Sequence, residues 1–206
     1  MADGEEGMTV RSVRSDSKRN RGALLQSAGE LVRASGSSVT MNSIAEHAGL
    51  SVATAYRHFP SLESVFEAYM FDVAHELRTY SLSLETPGPE LLARVARKWI
   101  ELCLVHGPAT VHMRSRRGYL ERLHEGADYL LALRDALLRP ILLFAESRGL
   151  TLGRDGEERA LFLWNIMFDP REILDLRAQL GLTAAQSTEQ LLAAFDGALT
   201  RWASFS

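Results

Sequence analysis

Between Ser51 and Phe59 the chain reads SVATAYRHF, which crowds a threonine hydroxyl, a phenol, a guanidinium and an imidazole into Thr54, Tyr56, Arg57 and His58. Bond-breaking chemistry needs more than such groups: a nucleophile requires a base beside it and a third group to orient that base. The histidine–acid pairs of this chain, Glu46 with His47 and His75 with Glu76, are sequence neighbours, so on a helix they point to different sides. What Thr54, Tyr56, Arg57 and His58 can do is hydrogen-bond phosphate oxygens and base edges. Val52, Ala53 and the Thr54 methyl add small apolar groups of the kind that packs on a thymine methyl.

Metal and cofactor chemistry finds no comparable cluster. His106 and His112 are six apart across a Gly107-Pro108 break with no second ligand pair at useful spacing, and Cys103 is the one cysteine. No intrachain disulfide can form, no glycine-rich phosphate loop appears, and no cofactor or metal is expected. No run approaches the roughly 18 apolar residues of a membrane span, and the opening MADGEEGMTVR lacks a basic and then apolar leader pattern. A cytoplasmic protein with no membrane partner and no enzymatic activity is the expectation.

Charge is uneven along the chain. From Arg11 to Pro60 seven basic residues (Arg11, Arg14, Lys18, Arg19, Arg21, Arg33, Arg57) face three acids (Asp16, Glu30, Glu46), whereas the net charge of all 206 residues is −3. A basic block on an acidic body points one end of the molecule at a polyanion.

The elements that must position these groups are helices, because period 3.6 recurs along the sequence and period two does not. The fold class expected is all-α. Leu24, Ala28, Leu31 and Val32 form one stripe, and Leu62 through Tyr80 form a longer one of about five turns. Between them, Thr40 can cap a helix from Met41 to Ala48, Gly49 can stop it, and Ser51 can cap Val52 to Phe59. Helices that short are marginal alone, so longer neighbours must hold them. A short helix presented outward fits the major groove of B-DNA, about 12 Å wide. Ala55 and Phe59 are expected to face inward, leaving Val52, Ala53, Thr54 and Arg57 outward with Tyr56 and His58 at their flanks.

Past Thr86-Pro87-Gly88-Pro89, taken as the domain boundary, a helix is expected from Leu91 to Val105, ended by His106-Gly107-Pro108. Val111 to Gly126 reads as irregular and Arg-rich, and Tyr129 to Ser147 as a helix kinked at Pro140. Asp155 with Glu158 is expected to cap a helix through Phe168, Asp169-Pro170-Arg171-Glu172 to start another, and Thr183 with Gln186 to cap the last. Trp99, Cys103, His106, Met113, Tyr129, Trp164, Asn165 and Phe168 are candidate lining for a ligand cavity, apolar with a few polar handles.

The order of residues from Lys18 to Tyr80 resembles the DNA-binding region of the tetracycline-repressor-like (TetR/AcrR) transcriptional regulators. The likeness runs through RNRGALLQSAGELVRASG, VTMNSIAEHAGLS and VATAYRHFPSLESVFEAYM. It implies a three-helix N-terminal domain with a helix-turn-helix at about 41–60, followed by a helical effector-binding and dimerisation domain. Residues 1–17 are then a disordered basic arm, 18–80 the DNA-binding domain, and 87–206 the C-terminal domain. By the same resemblance Asn42, Val52, Ala53 and Thr54 approach bases, while Thr40, Tyr56 and His58 hold phosphates; Ser51 and Arg57 complete the candidate surface. Leu62 stands where the family carries Lys, so that phosphate contact is not carried over. The basic arm is expected to supply part of it.

A homodimer on a pseudo-palindromic operator of double-stranded DNA is expected, its recognition helices about 34 Å or a multiple apart. The resemblance places the dimer interface on Glu157–Phe168 and Thr183–Trp202, and implies a repressor released by a small apolar effector. Two readings stay open beside it: a C-terminal half that only dimerises or binds protein, and an enzyme.

Overall fold

The computed structural model describes residues 5–35, 38–110, 117–153 and 155–203. Its elements are α1 (Glu5–Ser35), α2 (Met41–His47), α3 (Val52–His58), α4 (Leu62–Ser83), α5 (Gly88–Thr110), α6 (Tyr119–His124), α7 (Asp128–Ser147), α8 (Gly156–Met167), α9 (Pro170–Leu180) and α10 (Ala184–Ala203). No strand occurs among the described residues, and none of their helices is long and apolar enough to cross a membrane.

The chain divides into two compact units, Met1–Tyr69 and Met70–Ser206. In the first, Leu24, Ala28 and Val32 of α1 are buried with Ile44 and Ala45 of α2, Ala55 of α3, Phe59, and Val65 and Phe66 of α4. Those positions are the inner stripes that helical spacing selects. In the second, α5 is the central helix, with α7, α9 and α10 packed on it and α8 packed on α10.

Several boundaries differ from expectation, each for a local reason. α1 begins at Glu5, so residues 5–17 belong to the first helix and not to a separate arm. A helix break does fall at 84–87, but the compact units part at Tyr69 and Met70. The second half of α4 serves the second unit: Val73, Ala74 and Leu77 are buried, and the Ser81 hydroxyl donates to the Ala136 carbonyl of α7 at 2.6 Å. α5 continues through Pro108 to Thr110. Proline there removes one amide near the helix end, and packing holds the segment: Gly107 leaves the space that Leu174 of α9 fills, a Cβ there falling 2.7 Å from Leu174 Cδ1.

α7 likewise runs unbroken through Pro140. The stretch expected to be irregular contains α6, whose Glu121 carboxylate accepts from the Gly118 amide at 3.3 Å. Asp155 does not cap α8; its ψ of 13° keeps the carboxylate off the first-turn amides, and Glu158 instead pairs with His124 at 2.9 Å.

Candidate functional site

The corner between α2 and α3 is built from caps. Thr40 is extended (φ −127°, ψ 162°); its hydroxyl accepts from the Ser43 amide at 3.1 Å, and the Ser43 hydroxyl accepts from the Thr40 amide at 3.0 Å. Gly49 takes φ 67°, a left-handed value that costs glycine nothing and lets the Leu50 amide reach back to the Ala45 carbonyl at 2.9 Å. Ser51 then caps α3 by accepting from the Thr54 amide at 3.1 Å. Three of the four ends of two seven-residue helices are thereby capped within a dozen residues, Thr40 to Ser51.

Of α3 only Ala55 is buried, so the rest of its side chains face outward. Thr40, Asn42, Ser51, Val52, Ala53, Tyr56 and Arg57 are exposed, and Thr54 and His58 are half-buried. Tyr56 is 51% exposed, unusual for a tyrosine that has a core beside it. The Thr54 hydroxyl lies 2.9 Å from the Ser51 hydroxyl and accepts from Arg57 Nη2 at 2.9 Å. Thr54 and Arg57, both able to bond base edges or phosphates, are thus bonded to each other. Arg21, expected in the basic run ahead of the helix-turn-helix, lies with its Cζ 4.4 Å from the centre of the Phe59 ring. Arg19 is exposed and pairs with Asp16 at 3.5 Å. The side chains of Arg11 and Arg14 lie outside the described residues.

The second unit holds a cleft, open to solvent, with a cavity volume of about 110 Å³. Trp99, Tyr129, Trp164, Asn165 and Phe168 line it, which brings together five of the eight expected ligand residues. Trp164 and Phe168 stack with centroids 3.8 Å apart and planes 7° from parallel, and Phe195 meets both edge-on at 5.9 and 6.3 Å. The Trp99 indole donates to the Phe168 carbonyl at 2.9 Å, fixing the end of α8 against α5.

Cys103 and His106 are not in the lining. Cys103 is buried, and burial, then the negative charge of Asp169, pushes its thiol well up. Met113 lies outside the described residues, as do Arg114 and Arg116; Arg117 of the same cluster is engaged by Glu121 and Glu125. Among the described residues no group of three His, Cys, Asp or Glu is placed to hold a metal ion.

Sequence reading passed over Arg122, Asp169 and Pro170, which also line the cleft. A signal for Arg122 was present. Arg94, Arg97 and Arg117 each have a glutamate four residues away, whereas Arg122 has Gly118 and Gly126.

Residues 24–69 match the sequence model of the bacterial regulatory proteins, tetR family. Among curated proteins there is no match. In fold the chain is similar to the TetR-family transcriptional repressor FadR of Thermus thermophilus, solved with lauroyl-CoA (22% identity, 85% of this chain and 92% of that chain covered, TM-score 0.61). It is similar also to a tetR-family regulator from Streptomyces coelicolor (19%, 91% and 82%, 0.60). The capped helix-turn-helix thus lies inside the residues that match the tetR-family model, and over most of its length the chain shares the helical fold of solved TetR-family regulators.

Proposed function

We propose that the protein is a homodimeric repressor which binds a pseudo-palindromic operator through α3 and releases it when a small, largely apolar effector enters the second unit. Val52, Ala53, Thr54 and Asn42 are the base-reading positions; Thr40, Tyr56, Arg57, His58 and Ser51 hold or frame the phosphate contacts. One short helix reads too few bases to stand out among genomic competitors, and a twofold pair squares the discrimination. The dimer face is assigned to α8 and α10, supported by Ile166, 51% exposed, and by Gly197, which faces open space. FadR of Thermus thermophilus, a repressor solved with lauroyl-CoA, is a precedent for repression on this fold.

The observation that carries effector control is the bonding of the cleft wall to α4. Leu133 and Leu137 of α7 line the cleft; between them Asp135 pairs with Arg78 at 3.5 Å and Ala136 accepts from Ser81. A ligand that displaces α7 therefore pulls on the helix that starts three residues after Phe59. By linkage it relieves repression only to the extent that it prefers the conformer unable to bind operator. Selection of bound fragments from random DNA, followed by anisotropy titrations of the enriched site against a ligand library, tests this. A symmetric consensus whose affinity falls with compounds that also raise Tm is expected. An asymmetric consensus removes the dimer; constant operator affinity across compounds that raise Tm removes effector control.

A further inference from the structure

The cleft contains a cation, Arg122, with no carboxylate in ion-pair contact among the described residues. Arg94 pairs with Glu90 at 2.7 Å, Arg97 with Glu101 at 3.1 Å and Arg117 with Glu121 at 2.9 Å, all on solvent faces. Arg122 has no such pair among the described residues. Its Nη1 donates to the Tyr129 phenol, its Cζ lies 5.8 Å from the centre of that ring, and its Nε is buried without an acceptor. An ionised donor shielded from water and left unpaired is a standing cost that a bound anion would remove.

The other charged group of the wall is already neutralised. Asp169 accepts from the Arg171 amide and Nε, each at 2.9 Å, and from its Nη2. The remaining wall is Trp99, Tyr119, Trp164, Phe168 and leucines. Burial pushes the Tyr119 phenol up to about 12, so it stays a neutral donor.

Resting on the effector reading above, we infer that the cleft takes a monoanionic, largely apolar organic acid, its carboxylate on the Arg122 fork and its ring or chain against the stacked aromatics. One guanidinium matches one carboxylate bidentately. A dianion such as a phosphate monoester would leave a charge uncompensated beside Asp169. The cleft's volume of about 110 Å³ is somewhat under the roughly 150 Å³ of a closed cavity that admits benzene, so its open side must accommodate part of even a single ring. The rest of the molecule lies in the open cleft.

The test uses the full-length protein and one matched series, 4-phenylbutanoate, 4-phenylbutanamide and 4-phenylbutylamine, read by tryptophan fluorescence, since Trp99 and Trp164 line the site. The acid should bind at least about tenfold more tightly than the amide, as a charge-assisted pair implies, and the amine more weakly still. Arg122→Met should bring the acid-to-amide ratio to about one, and Arg122→Lys should keep part of it. That ratio is internal to each variant, so a general loss of stability does not mimic it; if Arg122→Met does not fold, Arg122→Gln takes its place.

A ratio near one in the native protein overturns the inference, as does a ratio that survives loss of the guanidinium, or no binding by the acid. If the amide or amine binds best and also releases operator, the effector reading stands while the acid class falls. If no member of this series or of a broad neutral library moves operator affinity, the effector reading falls with it.

Discussion

The two units set apolar and polar groups in opposite arrangements. In the first, a small filled core of Phe59, Ile44 and Ala55 faces inward and the polar groups of α3 stand on the outside, already bonded to one another through Thr54. In the second, the aromatics face a space, and Arg122, whose Nε has no acceptor among the described residues, lines it. The surface proposed to meet a duplex takes its precision from what fills the core behind it, and the cleft proposed to hold a small molecule takes its precision from what the core leaves unfilled.

Substitution of one buried ring in each unit breaks this contrast most severely. Phe59→Ala should cost about 3–5 kcal/mol and abolish operator binding. Because all three tryptophans, Trp99, Trp164 and Trp202, lie in the second unit, their ligand-induced fluorescence change should survive it. Phe168→Ala should cost about the same but remove the stack on Trp164, abolishing the fluorescence response first. Loss of both functions in both variants, measured by anisotropy and fluorescence on the same samples, would mean the units do not carry separable roles.

Two glycines of α1 sharpen the point about a filled core. A Cβ on Gly29 would fall 2.6 Å from Tyr69 Cε2, whereas one on Gly22 meets nothing within 4 Å. Gly22→Ala should stabilise by about 0.5–1 kcal/mol through helix propensity alone. Gly29→Ala should lose that gain and more, since overpacking costs about 1–3 kcal/mol. Thermal melts of the two variants with equal shifts would show that the Tyr69 ring yields freely.

How far such features could be read in advance follows the range of the forces involved. The caps at Thr40, Ser51, Asp169 and Thr183 and the left-handed Gly49 involve partners within a few residues, and the structure places them as the sequence implies. Asp155 carries the same pattern as Asp169, yet its backbone lacks the extended ψ that capping needs, a tertiary outcome no local pattern encodes. Pro108 was read as a stop because its cost is local, whereas the packing of Leu174 on Gly107 that offsets it comes from α9, far along the chain. The aromatic lining was half visible, since composition names candidates and only packing separates Trp99 from Cys103.

On the outer face of α3, Tyr56→Phe and Thr54→Ala separate positioning from reading. Tyr56→Phe should weaken binding to every sequence alike by about 1.5–3 kcal/mol, the worth of a hydrogen bond to a charged phosphate. Thr54→Ala should cost about 1–3 kcal/mol on the selected operator and relax preference at one base pair. It also frees Arg57, whose Nη2 rests on the Thr54 hydroxyl, so part of the loss should return as non-specific affinity. Competition titrations against single-base operator variants measure both; the reverse pattern would mean α3 presents its other edge to the groove.

The smallest effect expected concerns the frame alone. Thr40→Ala deletes one side of the reciprocal bond with Ser43 and should destabilise the first unit by about 1 kcal/mol, while also removing a hydroxyl assigned to phosphate. Ser43→Ala deletes the other side of the same box and no assigned contact. If the two variants melt alike but Thr40→Ala binds operator more weakly at every salt concentration, the threonine acts twice, as cap and as phosphate ligand. If operator affinity falls equally in both, Thr40 only holds α2 in place, and the phosphate surface on this side shrinks to Tyr56, Arg57 and His58.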